Sequence, residues 1–209
     1  MKKIVMFSCL CIVMFLSGCE KISHEKLPDG LREQNLVLQN AERMDRVSED
    51  RIISDIQNNY GRTNNDIETY TKIEKDLLGQ STEGGSVVYY SKNDASQDVE
   101  KIVATYFGET GKLVNEFYYK DSVLLFVFEE NYEYNRPIYW DEQRAEESQD
   151  NEVFDLNKSK ITESRYYFYN NKLIRWLDEN DKEVPVDLNL FKDKEISILQ
   201  QSKELLEQF

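Results

Sequence analysis

The fold is determined by two strand-like runs, Leu113-Val-Asn-Glu-Phe-Tyr-Tyr-Lys120 and Val123-Leu-Leu-Phe-Val-Phe-Glu-Glu-Asn-Tyr-Glu-Tyr134. The two residues Asp121-Ser122 connect them. Both runs are rich in aromatic and β-branched residues, and apolar positions alternate along them, which is the pattern of β-strands. A connection of two residues leaves room only for a hairpin. The sequence therefore predicts two long antiparallel strands at the centre of a sheet.

The second strand carries apolar residues on both of its faces at its beginning. Strict alternation places Leu124, Phe126 and Phe128 on one face and Val123, Leu125 and Val127 on the other. The second face becomes polar from Glu129 onward. A strand that is apolar on both faces is buried on both faces, so we expect a helix to cover one side of the sheet.

Aromatic and β-branched runs recur before and after this hairpin, and most of the connections between them are short. Gly108-Glu-Thr-Gly111 and Asn170-Asn171 can supply positive φ angles, whereas Asp121-Ser122 is the weakest turn because it lacks glycine. Eleven of the 13 tyrosines lie between Tyr89 and Tyr169, which places the main core in this region. Six strands are predicted, at residues 86–91, 99–107, 113–120, 123–134, 165–169 and 172–177.

Amphipathic patterns flank the strands on both sides. Apolar residues recur at helical spacing from Leu31 to Tyr60, and a shorter pattern at Ile67, Tyr70, Ile73 and Leu77 ends at Gly79. We interpret residues 31–79 as a helical hairpin, whose apolar stripe packs on the sheet or serves as a partner-binding or coiled-coil surface. Residues 189–209 predict a C-terminal amphipathic helix.

The predicted fold class is thus α+β, an antiparallel β-meander of about six strands with an N-terminal helical hairpin and a C-terminal amphipathic helix. The β domain spans residues 84–188. The segment Gly108-Glu-Thr-Gly-Lys-Leu-Val-Asn-Glu-Phe-Tyr-Tyr-Lys-Asp-Ser122 resembles the MORN-variant repeat, in which a glycine turn precedes a strand ending in paired aromatics. A degenerate second copy begins at Arg165, and Ser122 and Asn171 replace the expected glycines. The resemblance implies antiparallel hairpins and no particular activity.

The sheet pattern is interrupted by an acidic insertion at residues 135–160. Connections of this length without regular structure tend to be functional or disordered. Aromatic rings and one guanidinium suit a protein anchor or a sugar platform, although the same residues could instead fold back as a lid over the sheet. The acidic residues match no calcium-loop spacing, so a solvated face is expected and no metal site is predicted. The candidate binding surface consists of Tyr132, Tyr134, Arg136, Tyr139 and Trp140.

The beginning of the chain has the three parts of a secretory signal. Lys2 and Lys3 precede an apolar run at residues 4–15, which is shorter than the roughly 20 residues that a membrane-spanning helix needs. The following Leu16-Ser-Gly-Cys19 resembles the lipobox of bacterial lipoproteins. That resemblance implies removal of residues 1–18 and attachment of lipid at Cys19, with acyl chains such as palmitate; an ordinary signal peptide with a coincidental cysteine is the alternative. Residues 19–30 are interpreted as a tether.

The chain is strongly acidic, which limits its partners. Loss of residues 1–18 would take away two lysines and change the net charge from −14 to −16. Such a charge repels nucleic acid and anionic lipid, so no nucleic-acid partner is expected. The predicted location is the bacterial cell envelope, with a lipid anchor in the inner or the outer membrane.

Most forms of catalysis lack the residues they need. Cys9 and Cys11 would be removed with the signal, Cys19 would carry lipid, and His24, which lies in the tether, is the one histidine. Nucleophilic triads and zinc sites therefore have no support, and no glycine-rich nucleotide loop occurs. Close pairs of carboxylates are inevitable among 40 acidic residues. We therefore predict that the protein is not an enzyme and has no cofactor.

Two non-enzymatic functions remain, and a carboxylate-dependent hydrolase is a third alternative. The first is a protein-binding lipoprotein, an inhibitor or assembly factor for a basic envelope protein, whose encounter the negative charge would accelerate. The second is a carrier or receptor for a small ligand or glycan in a cavity between sheet and helices. An exposed Tyr139 and Trp140 would favour the first, and a closed apolar cavity would favour the second.

Overall fold

The computed structural model describes residues 29–77, 81, 83–92 and 98–209. The predicted signal peptide, the lipid-attachment residue Cys19, and the tether up to residue 28 lie outside the described residues. The chain divides into two units, Met1–Arg43 and Met44–Phe209. The described part of the first unit, residues 29–43, is helical, so the last two residues assigned to the tether already belong to a helix.

The described residues of the second unit form an antiparallel sheet of seven strands whose spatial order follows the chain from β1 to β7. This confirms the α+β class and the meander, with one strand more than predicted. The helices are α1 (Asp29–Asn65), α2 (Glu142–Glu147) and α3 (Asn189–Glu207). The strands are β1 (Thr71–Leu77), β2 (Gly85–Ser91), β3 (Val99–Phe107), β4 (Gly111–Lys120), β5 (Val123–Glu133), β6 (Lys160–Tyr169) and β7 (Lys172–Leu177).

The additional strand, β1, replaces the second helix of the predicted N-terminal hairpin. Spacings of three and four residues favoured a helix locally, but Thr71–Leu77 pairs along its whole length with β2, and only Leu77 in it is buried. Pairing with the sheet therefore overrides the local pattern. Helix α1 also passes through the expected stop at Gly61 and ends at Asn65, because a helix interior tolerates glycine at a cost of about 1 kcal/mol. Gly79 lies outside the described residues.

A helix packs on each face of the central strands, whereas the sequence predicted a helix on one side. Helix α3 covers one face through Phe191, Ile198 and Leu205, which join the larger core cluster. The part of α1 beyond Met44 covers the other face, where Ile53 and Ile56 belong to the smaller cluster. The sheet residues of that smaller cluster are Tyr118, Phe126 and Tyr167.

A β-bulge breaks the predicted alternation of β5. Tyr118 pairs with Phe126, but Tyr119 pairs with Leu124, so Leu125 is the additional residue. Leu124 therefore packs with Val127 on the α3 face, while Phe126 packs on the α1 face. The prediction that Leu124 and Phe126 share a face was wrong, because an inserted residue reverses the alternation of side chains.

The two-residue turns β4–β5 and β6–β7 are made without glycine. Asp121 and Ser122 have φ of 50° and 63°, and Asn170 and Asn171 have φ of 51° and 57°. Gly108 and Gly111 do not have the predicted positive φ. A Cβ at Gly111 would instead clash with the carbonyl oxygen of Tyr132, so glycine is needed there for the close approach of β4 to β5.

Candidate functional site

Arg136 ties the two ends of the acidic insertion together. Its Nε and Nη2 donate to the Asp150 carboxylate at 2.6 and 3.0 Å, and Nη2 lies 3.5 Å from Glu152. Nη1 also donates to the carbonyl oxygen of Asn135. The bidentate geometry is the strong form of an arginine–carboxylate pair. The guanidinium of Arg136 lowers the pKa of Asp150 to about 2. Arg136 is thus committed to holding the insertion.

Further contacts close the insertion behind this ion pair. The Tyr134 ring meets the Phe154 ring edge-on at 5.1 Å between centroids. The side chain of Asn135 donates to the carbonyl oxygen of Val153 at 3.0 Å and accepts from the backbone N–H of Asp155 at 2.9 Å. Residues 134–136 are therefore fastened to residues 150–155, and Tyr134 contributes to this internal packing.

Tyr139 and Trp140 lie where the insertion turns back, with ring centroids 6.5 Å apart. Tyr139 is 42% exposed, and the Arg144 guanidinium stacks over its ring at 4.7 Å. A hydrogen bond with Glu109 raises the pKa of the Tyr139 hydroxyl. Trp140 is half-buried. Tyr139 is thus the more exposed ring of the pair, and Trp140 lines the same depression from a half-buried position.

Two aliphatic side chains extend the surface of Tyr139. Ile138 is 52% exposed and Val153 is 37% exposed, and both line the same shallow depression of about 490 Å³ with Tyr139 and Arg144. We call Ile138, Tyr139, Arg144 and Val153 the insertion patch. Of these four residues, only Tyr139 belonged to the binding surface predicted from the sequence. The apolar side chains in an otherwise acidic segment were the signal that could have indicated Ile138 and Val153.

Tyr132 lies apart from the insertion patch, on strand β5. The Lys112 ammonium stacks over its ring at 4.3 Å, and its hydroxyl donates to Glu130 at 3.4 Å. Of the five predicted surface residues, the structure thus places Tyr139 and Trp140 at the depression of the insertion, Tyr134 and Arg136 in its support, and Tyr132 on the sheet.

A second depression, which the sequence did not indicate, lies between α1 and the sheet. Its volume is about 230 Å³, and its lining is largely apolar. The sequence pattern contained one signal for it, because Glu130 interrupts the aromatic positions Phe128 and Tyr132 on one face of β5. We call this depression the helix–sheet groove; it is lined by Ile56, Gln57, Tyr60, Phe126, Phe128, Arg165 and Tyr167.

Acidic side chains of the sheet lie next to the groove on the side of Phe128 and Arg165. Glu130 on β5 lies directly opposite Glu163 on β6. Burial raises the pKa of Glu130, and the nearby Glu116 and Glu163 carboxylates raise it further. Burial and the Glu116 charge likewise raise the pKa of Tyr60. Like charges therefore oppose one another at this edge of the groove.

A buried polar network anchors the C-terminal end of α1. The Lys101 ammonium lies 3.0 Å from both the Glu116 carboxylate and the Asn64 side-chain oxygen. The Tyr118 hydroxyl donates to Glu116 and accepts from the side-chain amide of Asn64 at 3.0 Å. Because each of these groups has partners, the network fixes the position of α1 across the sheet.

Within the described ranges, no group of three or more histidine, cysteine, aspartate and glutamate side chains is arranged to hold a metal ion. No helix in the part of the chain that the structure describes has the length and apolarity to cross a membrane. No protein-family profile, no curated protein and no solved structure matches the chain.

Proposed function

We propose that this protein is a lipid-anchored, protein-binding module of the bacterial cell envelope, of the inhibitor or assembly type, and that the insertion patch is its contact surface. The observation that carries the proposal is the joint exposure of Ile138, Tyr139 and Val153 around one depression. Tyrosine and arginine beside aliphatic side chains are typical of the residues that dominate binding energy in protein interfaces.

The support beneath the patch favours binding. Arg136 and Asp150 hold the two ends of the insertion by paired hydrogen bonds, and Phe154 bonds through its N–H to the carbonyl oxygen of Trp140 at 2.8 Å. A surface that is already ordered loses little conformational entropy when a partner docks. The insertion therefore has the properties of a preorganised contact surface.

The charge of the chain defines the kind of partner. The net charge, −14 for the full chain and −16 after loss of residues 1–18, would attract a basic protein and repel acidic ones. The lipobox-like Leu16-Ser-Gly-Cys19 supports an anchor that would concentrate the module at a membrane surface. A basic protein of the same envelope is the partner class that fits both features.

A carrier of small ligands has less support. The helix–sheet groove has a volume of about 230 Å³, below the roughly 300–1,000 Å³ of pockets that enclose a whole small molecule. The groove is also open to the surface on one side, because Gln57 and Tyr60 at its edge are exposed. Protein binding therefore remains the proposal that the geometry favours.

The test is a pull-down from an envelope extract with the full-length chain in detergent. We expect the wild-type chain to retain a basic protein at low salt. The double variant Ile138→Ser/Tyr139→Ala should retain at least about tenfold less, since loss of a hot-spot residue costs 2 kcal/mol or more.

Leu156→Ser is the matched control, because Leu156 is an exposed apolar residue of the same insertion that lies outside the patch. It should retain the partner as the wild type does. Retention of no protein by the wild-type chain, or equal retention by the patch variant, would contradict the proposal.

A further inference from the structure

Between Met44 and Asn65, helix α1 packs mainly on one row of side chains of the sheet. The strand registers align Lys101, Tyr118, Phe126, Tyr167 and Arg175 in this row. Within the unit Met44–Phe209, isoleucine side chains of the helix pack on Phe126 and Tyr167, and Glu49 accepts from Arg175 at 2.7 Å. Phe128 in the next row also packs against this cluster. Beyond Phe128 the same face continues, and among the described residues no hydrogen bond or ring contact joins the helix to it.

These further rows combine apolar and acidic side chains. The next row contains Glu116, Phe128 and Arg165, and the one after it contains Val114, Glu130 and Glu163. Tyr132 follows, opposite Lys112 and Ile161. We call Val114, Phe128, Glu130, Tyr132 and Glu163 the open sheet face. It adjoins the helix–sheet groove, because Phe128 belongs to both.

The apolar part of this surface has the size for side chains of a partner. The groove has a volume of about 230 Å³, and its lining includes the rings of Tyr60, Phe126 and Phe128. Tyr60 is 37% exposed and stands against Tyr118 and Phe126 at centroid distances of 4.9 and 5.5 Å. Aromatic faces of this kind accept aliphatic chains and attract cations.

The acidic part of the surface is only partly compensated, because Arg165 pairs with Glu163 and not with Glu130. Glu130 lies opposite Glu163, and like charges in that arrangement destabilise a sheet. Among the described residues, Glu130 forms no ion pair and accepts only the Tyr132 hydroxyl at 3.4 Å. The pKa of Glu130 is raised by burial and by its acidic neighbours. A cation placed here would relieve this repulsion.

The basic groups at this surface are already engaged. Arg165 donates to Glu163 and to Asp181, at 2.6 Å each, and stacks over Phe128 at 5.4 Å. The Lys112 ammonium stacks on the Tyr132 ring. The uncompensated charge that faces a partner is therefore negative, at Glu130.

We propose that the open sheet face and the helix–sheet groove bind a basic polypeptide segment of a partner protein, with an apolar side chain in the groove and a lysine or arginine against Glu130 and Glu163. The inference rests on the proposed protein-binding function, but it concerns a surface that shares no residue with the insertion patch. It also specifies the partner by its chemistry, a positive charge adjacent to an apolar side chain.

The test measures fluorescence anisotropy of labelled synthetic peptides with the full-length chain in detergent. The probe is Lys-Leu-Lys-Leu-Lys, which carries both features. Lys-Ser-Lys-Ser-Lys retains only the charge, and Glu-Leu-Glu-Leu-Glu retains only the apolar side chains. We expect the first peptide to bind at least about tenfold more tightly than either of the others.

Two variants locate the site. Glu130→Gln/Glu163→Gln should weaken binding of the first peptide by about tenfold, as expected from the loss of two ion pairs. Glu204→Gln/Glu207→Gln on α3 makes the same change of net charge at exposed positions and should leave binding unchanged. Gln57→Trp should also weaken binding by about tenfold, because Gln57 is an exposed helix residue at the groove and a large ring there would fill it.

Equal losses in the two double variants would show attraction by net charge alone and would overturn the inference. So would equal binding of the leucine and serine peptides, or undiminished binding by Gln57→Trp. Ile138→Ser/Tyr139→Ala should bind the peptide as the wild type does. Failure at the insertion patch is thereby distinguished from failure at the open sheet face.

Discussion

The Lys101 ammonium lies 3.0 Å from the Glu116 carboxylate, between the C-terminal end of α1 and the sheet, where Lys101 is only 7% exposed. The ring of Tyr118 lies 4.9 Å from the same ammonium. The ion pair therefore joins two strands and the helix above them at one buried point.

Removal of one partner of this pair should be costly. Lys101→Ala leaves Glu116 partly buried and without its cation, so we expect a loss of about 2–4 kcal/mol in the free energy of unfolding. The double variant Lys101→Met/Glu116→Leu should lose less than Lys101→Ala, because no charge remains unpaired. Urea denaturation measures both, and a double variant at least as unstable as Lys101→Ala would contradict the assignment.

Glycine in the turn at Asp121 and Ser122 should increase the stability of the protein. Both residues have positive φ, and a two-residue turn of this kind prefers glycine at its second position. We expect Ser122→Gly to raise the free energy of unfolding by about 1 kcal/mol, since glycine occupies the left-handed region without strain. Thermal and urea denaturation measure the gain. Ser48→Gly within α1 should destabilise instead, and a destabilised Ser122→Gly would show that the turn needs the serine side chain.

The support of the insertion should fail in acid. The pKa of Asp150 is about 2, below its ordinary value of 3.8, because Arg136 stabilises the carboxylate. A lowered pKa means that this contribution is complete above about pH 4 and is lost as the pH falls toward 2. The indole N–H resonance of Trp140 should shift over this range.

Asp150→Asn should give the low-pH resonance position already at neutral pH, whereas Glu147→Gln should titrate like the wild type. An unchanged resonance in Asp150→Asn would show that the Arg136–Asp150 pair does not hold the insertion.

The repulsion at the open sheet face should appear as a stability cost. The pKa of Glu130 is raised above its ordinary value of 4.5, so its ionisation opposes folding at neutral pH. We expect Glu130→Gln to raise the free energy of unfolding at pH 7 by up to about 1 kcal/mol, as for relief of like charges on adjacent strands. The gain should vanish below pH 4.5, where the wild-type carboxyl becomes neutral. Urea denaturation at pH 7 and below pH 4.5 measures the change in the free energy of unfolding, and Glu146→Gln is the exposed control. An equal gain at the two pH values would show that ionisation of Glu130 is not its cause.

The lipid anchor is tested at Cys19. In Cys19→Ser, the thiol that would carry the diacylglycerol is replaced, so we expect the chain to move from the membrane fraction to soluble or unprocessed fractions. Labelling with a palmitate analogue should be lost as well. Cys11→Ser is the matched control and should remain in the membrane fraction with its label. Unchanged fractionation of Cys19→Ser would refute the lipoprotein proposal.

Local patterns predicted the elements whose structure depends on their own residues and their sequence neighbours. The limits of β3 and β7 agree with the prediction, and α3 lies within the predicted C-terminal helix. The asparagine turn adopts the expected positive φ angles, because Asn170 and Asn171 tolerate the left-handed region. The sequence therefore determined an antiparallel meander with a helix at its end.

Contacts between distant residues decided the rest. β1 exists because Thr71–Leu77 finds a partner in β2, although its own spacing favours a helix. The bulge at Leu125 depends on how β4 and β5 align, and it determines which side chains face α1. Likewise, Tyr134 and Arg136 lie in the support of the insertion because their partners Phe154 and Asp150 occur later in the chain.

The two surfaces proposed for binding likewise depend partly on composition and partly on contacts between distant residues. Composition alone indicated an acidic, aromatic chain without the residues of common catalytic sites. Only pairing in space brought Glu130 opposite Glu163, and only the packing of α1 on neighbouring rows left these two carboxylates outside its cluster. A periodic sequence specifies which residues can form a strand, whereas the neighbours of that strand determine which charges meet, because electrostatic energy depends on distance in space.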